Sequence, residues 1–269
     1  MQADIINKIC EPNKDNPIIQ EAVGCLEFYD YQLKRIVNRK KCLKGEDVPD
    51  PDKDSKTLRL LHQVLWSKKI SPKNEMILTQ DLKWRDFSFG SDTIINGFIW
   101  PEKYEKKLQE FYEVKGESFF DDMREFTLYV YTIGGFLVFP THGQSASINK
   151  RRGTDPEIQD RFDSTLECIQ KFYLGQENPL SDILNVDKCF FDLFGYGEKG
   201  FRKYVDFFFL QDLVSKDYKT IQYFLPKGKG VLPQNFEDYY TYRHNCIEFI
   251  KKRNERIAQE LKKILNEKV

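Results

Sequence analysis

The sequence predicts an α+β fold: a mainly helical body, a small antiparallel β element and a long C-terminal helix. Three observations predict it. Apolar residues recur at helical spacing through most of the chain, alternating strand-like runs are few and short, and the stretch from about Asn235 onward reads as one helix of roughly 30 residues. The 269 residues suffice for one large core, so the chain is read as a single globular domain, 1–269, with 1–54 as its least certain, peripheral segment and 55–269 as the main body.

Along the chain, the run Gly45 to Asp52 carries two prolines and reads as a surface loop. Ser55 then caps a helix on which Leu58, Leu61, His62, Leu65 and Trp66 share one face. Met76 to Leu78 reads as a short strand, and Phe87 and Phe89 alternate before a turn at Gly90-Ser91-Asp92. Residues 102–113 and 118–132 form two amphipathic helices, the second ending at Gly134-Gly135. Phe136 to Phe139 is a buried strand stopped by Pro140, with Ser145 to Asn149 as its hairpin partner across Thr141-His142-Gly143.

A helix over 155–173 follows, capped by Thr154 or Asp155, with Pro156 in its first turn. Ile158, Phe162, Thr165, Leu166, Ile169 and Tyr173 lie on its apolar face, and Asp160, Asp163 and Glu167 lie opposite. Further helices are expected over 180–194 and 201–214, a strand over Thr220–Leu225, and a glycine-bearing loop from Pro226 to Pro233.

Composition excludes several classes. Hydrophobic residues at 40% and charged residues at 31% argue against global disorder. With 22 Phe and 14 Tyr, the plain reading is an aromatic-rich core and the sharper one a base-stacking surface. Lys+Arg and Asp+Glu are equal at 42, so the protein is not a globally basic nucleic-acid binder, although residues 34–44 are basic and 46–54 acidic. Six cysteines without C-x-x-C spacing and three His do not suit a zinc site, and no metal or other cofactor is indicated. Asp4, Lys8 and Glu11 interrupt any N-terminal signal sequence, and no apolar run approaches about 18 residues, so a soluble, cytoplasmic protein with reduced thiols is expected.

Lys150, Arg151 and Arg152 stand just ahead of the helix expected at 155, where free amides and the helix dipole favour an anion. Phosphate is the anion such a loop suits, and a solvated basic turn is the plain alternative. His142 and Ser145 sit beside it as an acid–base and hydroxyl pair. The stripe Asp160, Asp163, Glu167 suits either solvent or a divalent cation. On the last helix, Arg243 and Asn254 fall within the apolar stripe that runs from Phe236 through Tyr240 to Leu265. With Asp206 they are either core hydrogen-bonding groups or the lining of a pocket. The basic end of that helix could dock on the body or on a protein partner.

Several stretches resemble an uncharacterised family of bacterial cytoplasmic proteins with no assigned activity. They are Thr57 to His62 with Leu65 to Lys68, Phe89 to Asp92, Thr132 to Gly135, Val138 to Pro140, and Ile148-Asn149 with Arg152-Gly153. Asp160 to Ile169, Tyr204 to Phe208, Leu210 to Val214, Tyr242-Arg243, Ile247 to Ile250 and Arg253-Asn254 complete the resemblance. It implies one domain and no particular reaction. Two functions are therefore carried forward: a phosphate- or nucleic-acid-directed protein, RNA-acting in its enzymatic form, and a non-catalytic interaction or regulatory module.

Overall fold

The computed structural model describes residues 3–40, 50–94, 101–142 and 146–267. Its N-terminal helices are α1 (Ala3–Cys10), α2 (Pro17–Gln20), α3 (Val23–Val37), α4 (Pro51–Asp54) and α5 (Lys56–Trp66). Four strands follow: β1 (Lys68–Ser71), β2 (Asn74–Met76), β3 (Lys83–Trp84) and β4 (Phe87–Thr93). Next come α6 (Pro101–Lys115), α7 (Ser118–Val130), β5 (Phe136–His142) and β6 (Ala146–Ser147). The rest is helical: α8 (Ile148–Thr154), α9 (Phe162–Tyr173), α10 (Ser181–Val186), α11 (Lys188–Phe191), α12 (Gly197–Phe207) and α13 (Phe236–Asn266). β1 and β2 form a two-stranded ribbon, and β3-β4-β5-β6 form an antiparallel sheet in that order. The expected class, mainly helical α+β with a small antiparallel sheet and a long C-terminal helix, is what the chain adopts.

Local signals account for the best-placed elements. Ser55 accepts from the Leu58 amide at 3.0 Å, and α5 buries the five residues of its predicted stripe. Asn235 accepts from the Asp238 amide at 2.9 Å and so starts α13. That helix packs on α1, α7 and the 3-10 turn Ile133–Gly135, and its stripe is buried as far as Leu261, although Tyr240 faces solvent. The basic end therefore docks on its own body up to that point. Ile6, Ile9, Ile18, Leu33 and Ile36 belong to the same core, so the N-terminal segment read as peripheral is integral.

Six expectations are corrected by tertiary contacts. Gly90-Ser91-Asp92 is no turn, since β4 runs through it against β5. Pro140 does not stop β5. Phe89 turns its amide to Leu82 O, so opposite Phe89 the ring nitrogen of Pro140 points away from β4, toward the side where β6 pairs only with Thr141 and His142. The helix expected over 155–173 starts only at Phe162, as α9, because residues 155–161 form a turn after α8 in which Gln159 and Asp160 adopt φ of 44° and 66°. The predicted 180–194 helix breaks at Asp187, which lets Phe190, Phe191 and Phe194 all enter an aromatic cluster around Tyr204 and Phe208. The 201–214 helix ends at Phe207, because Phe209 takes φ 57°, and the Thr220–Leu225 strand shrinks to a single bridge, Val214 to Ile221. The aromatic-rich core is thus real, and Trp66 completes its centre against Phe207 and Phe208.

A buried carboxylate centre as the candidate functional site

The basic triplet lies within α8 rather than in a loop ahead of a helix, which corrects its expected setting. Helical geometry sends its members apart. Lys150 and Arg151 are exposed, the latter 3.9 Å from Asp182, whereas Arg152 is fully buried. The Arg152 guanidinium is satisfied by protein: Nη1 donates to Asp92 at 2.6 Å and to Thr93 O, Nη2 to Asp160 O at 2.6 Å, and Nε to Thr165 at 3.2 Å. It holds the turn before α9 against β4, buried from solvent with four of its N–H groups engaged by protein.

Around Arg152 the fold gathers side chains from separate elements. α4 supplies Asp52, α5 supplies His62, β4 supplies Ser91 and Asp92, and α8 supplies Asn149. Trp66 donates its indole N–H to His62 Nδ1 at 3.0 Å, and His62 Nε2 lies 2.9 Å from Ser91 Oγ. Indole nitrogen can only donate, so Nδ1 is the acceptor and the neutral ring carries its proton on Nε2. Burial, reinforced by the charge of Arg253, keeps His62 neutral, with its pKa pushed down to about 3. His62 therefore donates to Ser91 and cannot take its proton, so the pair is not an activated nucleophile. The Ser91 hydroxyl in turn serves Asp52.

Asp52 and Asp92 carry the perturbed chemistry. Burial raises the Asp52 pKa well above the ordinary carboxylate range, and the charges of Asp92 and Asp50 raise it further. Burial also pushes Asp92 up to about 7; the Arg152 charge opposes this and that of Asp160 adds to it. Asp92 is crowded by protein yet keeps 23% of its side chain exposed, so solvent reaches this edge of the centre. Asp52 Oδ1 and Asn149 Oδ1 are buried without a hydrogen-bond partner among the described residues. The Asn149 amide lies 3.5 Å from Ser91 O.

The other predicted site residues go elsewhere. Ser145 lies outside the described residues, as does the side chain of His142, whose backbone closes β5. Asp206, Arg243 and Asn254 do not line one pocket. Asp206 accepts from Tyr218 and Gln211 at the surface, while Arg243 pairs with Glu125 and donates to Asp122 O. Asn254 stands 11 positions beyond Arg243 on α13, about 16 Å along the axis. It bonds the Gly134 amide, Cys10 O and Thr132. The stripe Asp160, Asp163, Glu167 disperses as well: Asp160 meets Arg152, Asp163 is buried in a bidentate pair with Arg161, and Glu167 bonds Lys171 and Lys227. No group of three or more His, Cys, Asp or Glu among the described residues is arranged for a metal ion.

Fold and centre together define a mainly helical α+β protein with a buried, partly solvent-reached carboxylate centre. The chain belongs to a family of unknown function, DUF6994, which matches residues 37–257. No curated protein and no solved structure matches it. No helix among the described residues is long and apolar enough to cross a membrane.

Proposed function

We propose that the chain is an enzyme whose acid–base centre, Asp52 with Asp92, acts on a hydroxyl-bearing polar substrate. The observation that carries this is the pair itself: two carboxylates from different elements, both displaced upward, with Asp52 Oδ1 and the neighbouring Asn149 Oδ1 buried without partners among the described residues. A carboxyl held near neutrality can both take and give a proton at working pH, while one held higher stays a donor. A substrate hydroxyl matches this set, because it can donate to Asn149 Oδ1 or Asp92 and accept from a protonated Asp52. An anionic group directly at the centre would meet Asp50, Asp52 and Asp92, with Arg152 already engaged.

The phosphate- or nucleic-acid-directed reading keeps one supporting feature, the exposed Lys150 and Arg151 on the same short helix as Asn149. An RNA or nucleotide substrate would offer phosphate to these two and ribose hydroxyls to the carboxylates. The alternative of an interaction module working through the C-terminal helix has less support, since the apolar stripe of α13 is spent on its own core to Leu261. A cytoplasmic, reducing setting fits the burial of Cys25, Cys168 and Cys246 as free thiols.

Carbon-13 titration of the aspartate carboxyls tests the centre. Asp92 is expected to titrate near neutrality, and Asp52 above the ordinary carboxylate range and lower in Asp92→Asn than in the wild type; two ordinary titrations would remove the reading. A thermal-shift panel then separates substrates. A neutral sugar or nucleoside that stabilises the wild type but not Asp52→Asn identifies the hydroxyl class. Stabilisation by short RNA that is lost in a Lys150→Ala, Arg151→Ala variant identifies the nucleic-acid class.

A further inference from the structure

A second cluster shares no residue with the carboxylate centre. The N-terminal half of α12, the end of α9 and the segment 215–220 enclose a cavity of about 620 Å³, within the range of small-ligand pockets. Its floor is apolar, formed by Phe201, the half-exposed Leu174 and the ring of Tyr218. Its rim is cationic. Lys199, Arg202 and Lys203 share one face of α12 at i, i+3 and i+4 spacing, and Lys219 stands opposite. All four are exposed, and among the described residues none is paired with a carboxylate. Two acids also line the cavity against these four cations: the exposed Glu198, and Asp217, which accepts from the Ser215 hydroxyl and the Lys219 amide.

The segment is built rather than loose. Ser215 N bonds Thr220 O at 2.8 Å, Gln222 N bonds Leu213 O at 2.8 Å, and Gln170 donates to the carbonyls of Tyr218 and Lys219. These bonds hold Tyr218 at φ 63°, a conformation that is strained for a bulky residue and persists only where the surroundings impose it. The Tyr218 hydroxyl is anchored on Asp206 at 2.6 Å and Arg202 stacks 4.4 Å over its ring, so the aromatic wall and one rim cation are positioned together.

We propose that this cavity binds a small anion with a flat apolar body, the body on Phe201 and Tyr218 and the charge on Lys199, Arg202, Lys203 and Lys219. Phosphate on a nucleobase-bearing ligand and carboxylate on an aromatic ring share this chemistry. Isothermal titration of the full chain with adenosine 5′-monophosphate, 2-naphthoate, adenosine and inorganic phosphate separates them. At least one of the first two is expected to bind ten or more times more tightly than adenosine and phosphate, and the one that does names the source. A Lys199→Gln, Lys203→Gln variant, altered only at exposed positions, is expected to lose about tenfold in that affinity with its melting temperature unchanged. Binding by neither anion, equal binding of adenosine and its monophosphate, or unchanged affinity in the variant would each overturn the proposal. The centre at Asp52 and Asp92 is untouched by these substitutions.

Discussion

Arg152 and Arg253 are both fully buried, yet they are satisfied differently. Arg152 meets two carboxylates, while Arg253 donates only to the carbonyls of Phe208, Gly134 and Phe136 and leaves a positive field that bears on His62. The contrast sets a pH response. His62 falls from 6.5 to about 3 on folding, so its contribution to stability is complete above pH 6.5 and is lost as pH falls toward 3. Asp92 rises from 3.8 to about 7, so its contribution is complete below pH 3.8 and is lost as pH rises through 7. Between about pH 4 and 6.5 the two slopes oppose, each at most about 1.4 kcal/mol per pH unit. His62→Gln is expected to tilt the stability–pH curve downward with rising pH relative to wild type, and Asp92→Asn to tilt it upward. Urea unfolding across that interval reads the difference, and three parallel curves would contradict both assignments.

At the scale of elements, the caps separate local from tertiary control. α13 begins where Asn235 caps it, and Asn235→Ala is expected to lower stability by about 1 kcal/mol, visible as a lower urea midpoint with an unchanged slope. α5 likewise starts at its predicted cap. The helix predicted over 155–173 had equally good local signals, and the Asp155 side chain does accept from the Glu157 amide. It starts only at Phe162 nonetheless, because Arg152 and Asp160 exchange backbone and side-chain bonds across the preceding turn. In β4 the run Gly90-Ser91-Asp92 has turn composition, but pairing with β5 keeps it extended. That pairing places Ser91 and Asp92 at the centre. The one local hint was period-2 spacing, since Ser91 continues the alternation of Phe87 and Phe89.

For the whole molecule, α13 is the structural spine rather than a free arm. Arg253 and Asn254 tie it to the 3-10 turn ahead of β5, and Ile257 and Leu261 complete the core. Removing residues 262–269 is therefore expected to leave the cooperative unfolding transition in place. Removing residues 253–269 should abolish it, because Gly134 and Cys10 lose their partners and the core loses two buried apolar side chains. Near-ultraviolet circular dichroism with urea titration distinguishes the two, and a cooperative transition in the shorter chain would show that α13 is dispensable beyond Lys252.

The sequence by itself determined the fold class, the aromatic core, the capped start of α5, the long last helix from about Asn235 and the polar anomalies Arg243 and Asn254, because periodicity and capping act within one or two turns of chain. Only the tertiary structure decided which charges are buried and which face solvent. Arg152 turned inward while Lys150 and Arg151 stayed out, Asp163 was buried opposite Arg161, and Arg253 left the basic end for the core. The carboxylate centre was illegible for the same reason: Asp52, the Ser91-Asp92 pair and Asn149 stand far apart in the chain, and the perturbed chemistry of the two carboxylates arises from desolvation and mutual charge that exist only once the elements have packed.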